Sequence, residues 1–124
     1  MPKFGRTSTQ RLITCDDRLQ AICHAVIPHY DFSIICGHRT MHDQNAAYHT
    51  GHSQLRYPQS KHNRWPSLAV DVAPWPIDWH DLGRFQHLAG RILQAGLEQG
   101  VPLVWGGNWT SFKDYPHFEL QEAD

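Results

Sequence analysis

Residues 60–72 read SKHNRWPSLAVDV, and the second half of this segment decides the fold. Residues 68–72 alternate with period two, the pattern of a strand whose two faces differ. Asp71 shares the parity of Ala69, so the pattern predicts a central strand that carries one inward-pointing carboxylate. The first half belongs to residues 51–65, a polar and His-rich stretch interrupted by Pro58. We interpret that stretch as a long functional loop.

Helices and further strands are predicted on both sides of this strand. The first dozen residues are polar and rich in Ser and Thr, and Thr14 or Asp16 could cap a helix that ends at Pro28. The other predicted elements are a strand at residues 32–36, a helix at 41–49, the main core helix from Asp78 to Gly100, and strands at 101–105 and 117–120. Because helices and strands mix without strict alternation, the pattern predicts an α+β fold.

Length and composition limit the architecture. A chain of 124 residues with 40% hydrophobic content can bury one core, so we expect a single domain spanning residues 1–124. The formal net charge of -1 argues against a nucleic-acid binder that works by neutralising phosphates. The sequence shows no leader of the ordinary kind and no apolar run near the ~18 residues that a membrane helix needs. We therefore expect a soluble protein without an ordinary export signal.

The cysteines predict reduced thiols. Cys15, Cys23 and Cys36 are odd in number, lack a CxxC pair and lie in the first third of the chain. This usage suits a cytosolic protein better than a disulfide framework. We interpret all three as buried packing residues.

Two imidazoles and two carboxylates stand in short groups that suit metal-assisted hydrolysis. A catalytic zinc takes three protein ligands and leaves a fourth position for water, and His62, Asp71 and His117 can supply the three ligands. Asp114, three residues before His117, is the candidate general base. Glu119 has the parity of His117 along a strand, so it could support a ligand or serve as an alternative base.

Each of these residues also has an ordinary structural interpretation. A single His in a polar loop, such as His62, is usually solvated, and Asp71 could be a hydrogen-bonding group near a turn. Arg39 could form a surface salt bridge, or at a strand end it could clamp a substrate carboxylate or a developing oxyanion. Trp105 and Trp109 are interpreted as core or strand-end anchors in preference to substrate platforms. The metal-site interpretation gains weight only when the groups are taken together.

Four sequence blocks, spanning residues 33–120 in a consistent order, together resemble one known family. They are Gly37-His38-Arg39-Thr40 with Gln44, Ser60-Lys61-His62 through Ala69-Val70-Asp71, Trp105-Gly106-Gly107-Asn108-Trp109, and Asp114-Tyr115-Pro116-His117-Phe118-Glu119. They resemble the zinc peptidases that include D-alanyl-D-alanine carboxypeptidases and phage L-alanyl-D-glutamate endolysins. The stretch between His62 and Asp71 is longer than is usual in the family and resembles its phage members.

The resemblance implies a fold and a role for each matching residue. The fold would be a small α+β domain of the hedgehog/D,D-peptidase-like type, with helices packed on one side of an antiparallel sheet. His62, Asp71 and His117 would bind Zn²⁺. Asp114 would be the catalytic base, and Arg39 would polarise the scissile carbonyl or steady the tetrahedral intermediate. Ser60 and Gln44 would contact substrate or form supporting hydrogen bonds.

The resemblance also implies a substrate and a location. The partner would be the peptidoglycan stem peptide, with no nucleic acid and no stable membrane insertion, and the protein would be a monomer. A phage lysin would wait in the host bacterial cytoplasm and reach the periplasm and cell wall through a holin.

Three functions remain open. The favoured one is a phage-type endopeptidase that cuts between L-alanine and D-glutamate. A D-alanyl-D-alanine carboxypeptidase or dipeptidase would share the metal centre and differ in its substrate pocket. A non-catalytic, metal-stabilised wall-binding domain would need neither Asp114 nor Arg39, because a structural zinc is closed by a fourth protein ligand.

Overall fold

Four antiparallel strands form one sheet in the order β1-β2-β4-β3, in a computed structural model that describes residues 1–122. The strands are β1 Phe32–Cys36, β2 Ala69–Pro74, β3 Leu103–Trp105 and β4 His117–Leu120. The helices are α1 Arg6–Leu12, α2 Asp17–Val26, α3 Met41–His49 and α4 Leu82–Glu98, with short 3-10 turns at Lys61–Asn63 and Gly106–Asn108. The predicted α+β class and antiparallel sheet are confirmed.

Helices α2 and α4 pack together and bury one face of the sheet. Ile22 of α2 and Ile92 of α4 join Val70, Val72 and Phe118 of the two central strands in one apolar cluster. Fully burying a side chain of this size stabilises the fold by about 1.5–3 kcal/mol. Because alternate residues of a strand point to opposite faces, the residues between these apolar positions lie on the other face.

That other face carries the polar residues of the central strands. In the register between β2 and β4, Asp71 pairs with His117 and Ala69 pairs with Glu119. Directly opposite residues of an antiparallel pair have close side chains. The pairing therefore brings one carboxylate and one imidazole together on the face that α2 and α4 leave uncovered.

Most of the predicted elements match the structure closely. The bounds of β1, α3 and β4 are those expected from the sequence. Asp16, and not Thr14, caps α2, and its side chain accepts from the backbone N–H of Arg18. Such a cap stabilises a helix by about 1 kcal/mol.

Helix α1 was not predicted from the sequence pattern. It lies in the polar first dozen residues and buries only Ser8 and Leu12. Tertiary hydrogen bonds hold it against β1, because the Ser8 hydroxyl accepts from the N–H of Ile34 and Arg11 donates to the carbonyl of Ile34. A helix stabilised by its neighbour in this way has little local signal.

All three cysteines are free thiols, as expected, and Cys15 and Cys23 are buried. Among residues 1–122, the longest apolar stretches of helix fall short of what a membrane crossing requires.

Candidate metal centre

Three side-chain atoms from two strands and one loop converge on a single point. His62 Nε2 lies 3.1 Å from Asp71 Oδ1 and 3.3 Å from His117 Nδ1. His117 Nδ1 lies 3.1 Å from the same oxygen of Asp71. His62 is held by a 3-10 turn whose cap is Ser60, since the Ser60 hydroxyl accepts from the His62 backbone N–H. The structure thus brings together the three residues predicted as ligands, in an arrangement that could hold a metal ion.

The partners of the outer ring nitrogens define the tautomers of the two histidines. His62 Nδ1 is 2.7 Å from the carbonyl oxygen of Gly37, which can only accept, so Nδ1 carries the hydrogen. His117 Nε2 is 2.8 Å from Glu119 Oε1 and donates to that carboxylate. In the neutral rings, the inner nitrogens therefore present lone pairs to Asp71 Oδ1. Three converging lone pairs repel one another, and a cation bound between them would remove the repulsion.

Glu119 is held in place by the neighbouring loop. Lys61 Nζ lies 2.8 Å from Glu119 Oε2 and donates to the carbonyl of Leu120 at 2.7 Å. Both carboxylate oxygens are thus engaged, one by His117 and one by Lys61. Two roles were left open for Glu119. Its hydrogen bond to His117 fits the supporting role, and because both of its oxygens are engaged, the geometry does not fit a general base.

Replacing Glu119 by glutamine is expected to weaken metal binding about 10–100-fold. The amide oxygen can still accept from His117 Nε2–H, but the negative charge that makes the imidazole a better ligand is lost. Competition for zinc against a chelating dye measures the change, with Glu98→Gln on the exposed face of α4 as the control. Equal affinity in the two variants would show that Glu119 does not support the ligand.

The charges of the candidate ligands are coupled. Burial opposes ionisation of Asp71, but His62 and His117 outweigh it and hold the pKa of Asp71 well below its usual range. Burial also opposes a charge on His62, and the carboxylate of Asp71 outweighs it and raises the pKa of His62. Both imidazoles must present an unprotonated inner nitrogen to bind a metal ion, so protons compete with the metal. Metal affinity should consequently rise with pH.

Asp114 approaches the same centre from a tight turn. Its N–H donates to the carbonyl of Gly106 at 3.0 Å, and its own carbonyl accepts from the N–H of His117 at 3.2 Å. A side chain at position 106 would collide with the Asp114 carbonyl and with His117 Cβ, so the close approach requires glycine. A carboxylate oxygen of Asp114 lies within 4.8 Å of donor atoms on Asp71 and His117.

The carboxylate of Asp114 is free to exchange a proton. Within residues 1–122 no hydrogen bond stabilises either of its charge states. Burial, and next the negative charge of Asp71, raise the pKa of Asp114 to about 6. A carboxylate that titrates close to neutral pH suits general acid–base chemistry.

Arg39 faces the centre and is positioned from below by Gln44. Arg39 Nη2 lies 3.3 Å from Asp71 Oδ2, and Nη1 donates to Gln44 Oε1 at 3.0 Å. Gln44 is fully buried, and its amide nitrogen donates to the Leu55 carbonyl at 2.6 Å and to the Ser53 hydroxyl at 3.0 Å. Of the two roles left open for Gln44, supporting hydrogen bonds fit this position, because the side chain lies beneath the cleft.

Known proteins resemble this chain over nearly its full length. The model of the phage L-alanyl-D-glutamate peptidase family matches residues 1–123. The chain belongs to this family. It is 35% identical to the L-alanyl-D-glutamate peptidase of Escherichia phage T5 over 98% of this chain and 90% of the phage protein. It is also similar to the crystal structure of the Serratia marcescens L-Ala D-Glu endopeptidase ChiX, with a TM-score of 0.82 and 27% identity over 97% of this chain and 91% of that one.

In this member of the phage L-alanyl-D-glutamate peptidase family, a cleft of about 340 Å³ opens above the candidate metal centre. One wall is formed by residues 52–55 and 59–62, so the stretch interpreted as a functional loop does line the cleft. The other wall comes from the loop after β3 and includes Trp109, Ser111 and Phe112. Ser60 lines the first wall while it caps the turn that carries His62.

The interpretation of Cys36 as a buried packing residue was wrong. Ile34 pairs with Val72 but Cys36 pairs with Asp71, so a β-bulge lies between these positions. Alternation alone would place Cys36 with Ile34 in the core. The bulge instead turns Cys36 onto the face that carries Asp71. Cys36 is only half-buried, and its sulfur lies within 4.8 Å of donor atoms on His62 and Asp71.

Proposed function

We propose that this chain is a zinc-dependent peptidoglycan hydrolase of the phage endolysin type, which cuts the L-alanyl-D-glutamate bond of the stem peptide. The phage T5 and Serratia relatives carry that activity in their names and align over at least 90% of their lengths. Within the molecule, one observation carries the proposal. Three lone-pair donors converge beside the carboxylate of Asp114, which accepts no hydrogen bond from any of the described residues 1–122.

Zinc is the metal that fits the donor set. In a tetrahedral site with bonds of about 2.0–2.1 Å, neighbouring ligand atoms lie about 3.3–3.4 Å apart. The three donor atoms here are separated by 3.1, 3.1 and 3.3 Å. Two imidazole nitrogens and one carboxylate suit zinc better than magnesium or calcium, which prefer oxygen ligands. Ligation by His62, Asp71 and His117 leaves one position open, as in catalytic zinc sites.

Two side chains would perform the remaining chemistry. When bound, zinc supplies the Lewis acidity that polarises a carbonyl and lets water act as a nucleophile near neutral pH. Asp114 takes a proton from the attacking water and returns it to the nitrogen of the leaving amine. Arg39 retains free N–H donors after bonding Asp71 and Gln44, and these stabilise negative charge that develops on the scissile carbonyl oxygen.

The remaining parts of the proposal concern substrate and location. The Ser60 hydroxyl accepts from His62 N–H and keeps its own hydrogen for a substrate carbonyl, whereas Gln44 positions Arg39 and the Leu55 wall without contacting substrate. The protein acts as a monomer on peptidoglycan and needs neither nucleic acid nor membrane insertion. It reaches the cell wall from the host cytoplasm through a holin.

The rate of hydrolysis should fall on the acid side of neutrality. The pKa of Asp114 is raised to about 6, so its basic form is lost as the pH falls through that value. A bound cation favours the ionised carboxylate and moves this limb to lower pH, while protonation of the histidine ligands releases metal in the same direction. A profile of kcat/KM against pH, with zinc content measured at each point, tests this. Constant activity down to pH about 4 would contradict a centre with two histidine ligands.

Digestion of purified Gram-negative peptidoglycan tests the function itself. Zinc-loaded protein, chelator-treated protein and a zinc-loaded Asp114→Asn variant are compared, and the released fragments are identified by mass. The expected products are free peptides that begin at D-glutamate, with L-alanine left on the glycan, from the zinc-loaded wild type alone. Release of D-alanine alone would move the assignment to a carboxypeptidase. The absence of any metal-dependent product would contradict the proposal and favour the wall-binding alternative.

A further inference from the structure

The bond assigned by the proposed function lies very close to a sugar. The L-alanine that donates the scissile carbonyl is joined through its nitrogen to the lactyl group of N-acetylmuramic acid. The path from that carbonyl to the sugar ring is about two residues long, roughly 7 Å. A muropeptide bound at the metal centre must therefore rest its sugar on the rim of the cleft.

Trp109 is an aromatic residue of this rim that lies directly beside the metal centre. Its ring centroid is 5.1 Å from that of His117, and the two planes are tilted by 42°. The side chain is half-buried, so one part of the ring rests on the ligand and the rest lines the open cleft. A sugar that extends from a substrate at the centre would meet this surface.

Trp109 does not have the packing role that Trp105 has. Trp105 stacks on Phe118 with planes 17° apart, and its indole N–H donates to the carbonyl of Tyr115 at 2.8 Å. The indole N–H of Trp109 has no acceptor within residues 1–122, whereas most buried indoles find one. Both tryptophans were interpreted from the sequence as anchors. Trp105 packs as an anchor, whereas Trp109 leaves its indole N–H available to a ligand.

The backbone presents Trp109 rigidly. Its N–H donates to the carbonyl of Gly106 at 3.2 Å, and its own carbonyl accepts from Lys113 Nζ at 3.1 Å. Lys113 also donates to the carbonyl of Gly107 at 3.3 Å. A platform held in this way binds without an added cost of ordering the loop.

We propose that Trp109 is the platform of a subsite for the N-acetylmuramyl sugar of the substrate, a proposal that rests on the proposed function. The electron-rich face of the indole packs against the C–H groups of the sugar ring, and the indole N–H donates to an acetamido or lactyl oxygen. The subsite would make the protein favour stem peptides still attached to glycan over free peptides.

Binding measurements on an inactive protein test the subsite. The protein is the zinc-loaded Asp114→Asn variant, and the ligands are L-alanyl-γ-D-glutamyl-diaminopimelate with an acetylated amino terminus and the same tripeptide carrying N-acetylmuramic acid. Titration calorimetry is expected to show about tenfold tighter binding of the muramyl peptide, the upper end of what one aromatic face contributes. Adding Trp109→Ala should reduce the preference to about threefold or less, and Trp109→Phe should keep most of it because a ring face remains.

Trp65→Ala is the matched control, because Trp65 is an exposed tryptophan whose ring meets that of His38 edge-on and does not line the cleft as described for residues 1–122. It should leave the preference unchanged. Equal binding of the two ligands by the parent protein, or equal weakening of both by Trp109→Ala, would overturn the subsite. Failure of the wild type to hydrolyse either ligand would refute the proposed function, and the calorimetry would still decide whether the sugar is recognised.

Discussion

Replacing Asp114 by asparagine is expected to lower kcat by about 10²–10⁴-fold, the usual contribution of a general base. Zinc content and thermal stability should remain close to those of the wild type. The physical reason is that the Asp114 carboxylate has no hydrogen-bonding partner in the part of the chain that the structure describes, so its removal breaks no such contact around the centre. The turn that presents the residue depends on backbone hydrogen bonds with Gly106 and His117, which asparagine retains.

Three measurements decide the role of Asp114. Hydrolysis of muropeptides gives kcat, metal analysis gives the zinc content, and calorimetric unfolding gives the stability. Asp17→Asn removes the same charge from the exposed first turn of α2 and should leave kcat and the zinc content unchanged. Loss of zinc from Asp114→Asn would instead make Asp114 a ligand. The distances allow this, because a carboxylate oxygen of Asp114 lies within 4.8 Å of donor atoms on Asp71 and His117.

Replacing His117 by alanine is expected to abolish both zinc binding and hydrolysis. His117 supplies one of three donor atoms and lies between Asp71 and Glu119. Its loss therefore removes a ligand and leaves two partly buried carboxylates without an imidazole between them. The loss of zinc affinity should exceed the ~10–100-fold expected when only the supporting carboxylate is changed. Zinc titration against a chelating dye measures the affinity, and circular dichroism establishes that the variant is folded.

His42→Ala is the control for this variant, since His42 is exposed on α3 and lies outside the cleft. It should bind zinc and cut peptidoglycan like the wild type. Stoichiometric zinc of unchanged affinity in His117→Ala would show that the ligand set is wrong. Cys36 or Asp114 would then be the replacement to examine, because both have donor atoms within 4.8 Å of Asp71.

Much of the fold was readable from local patterns. Residues 32–36 and 117–120 are short apolar or alternating runs, and both form strands with the expected bounds. Helix α4 is set by apolar residues at helical spacing, and six of its residues are buried. Helix α1 was not readable, because its stability comes from hydrogen bonds to Ile34 in β1.

The residues of the candidate site could be predicted from the sequence, but their arrangement could be predicted only in part. His62, Asp71, His117 and Asp114 were predicted by residue type and spacing, and the structure brings them together. Gln44 was predicted from the family resemblance alone, and its burial beneath the cleft could not be predicted from a polar residue on a short helix. The contribution of Lys61 was missed, since no local pattern links a loop lysine to a carboxylate on a distant strand.

The sequence by itself determined which chemical groups are available and, in the regular strands β2 and β4, on which face each one lies, because alternation along a strand is a local property. Only the tertiary structure decided the pairing of Asp71 with His117, the tautomers set by Gly37 and Glu119, and the bulge that turns Cys36 toward the centre. Each of these depends on strand register and on the closure of long loops. Register and closure are settled by the packing of the whole core, so no single segment of the sequence contains them.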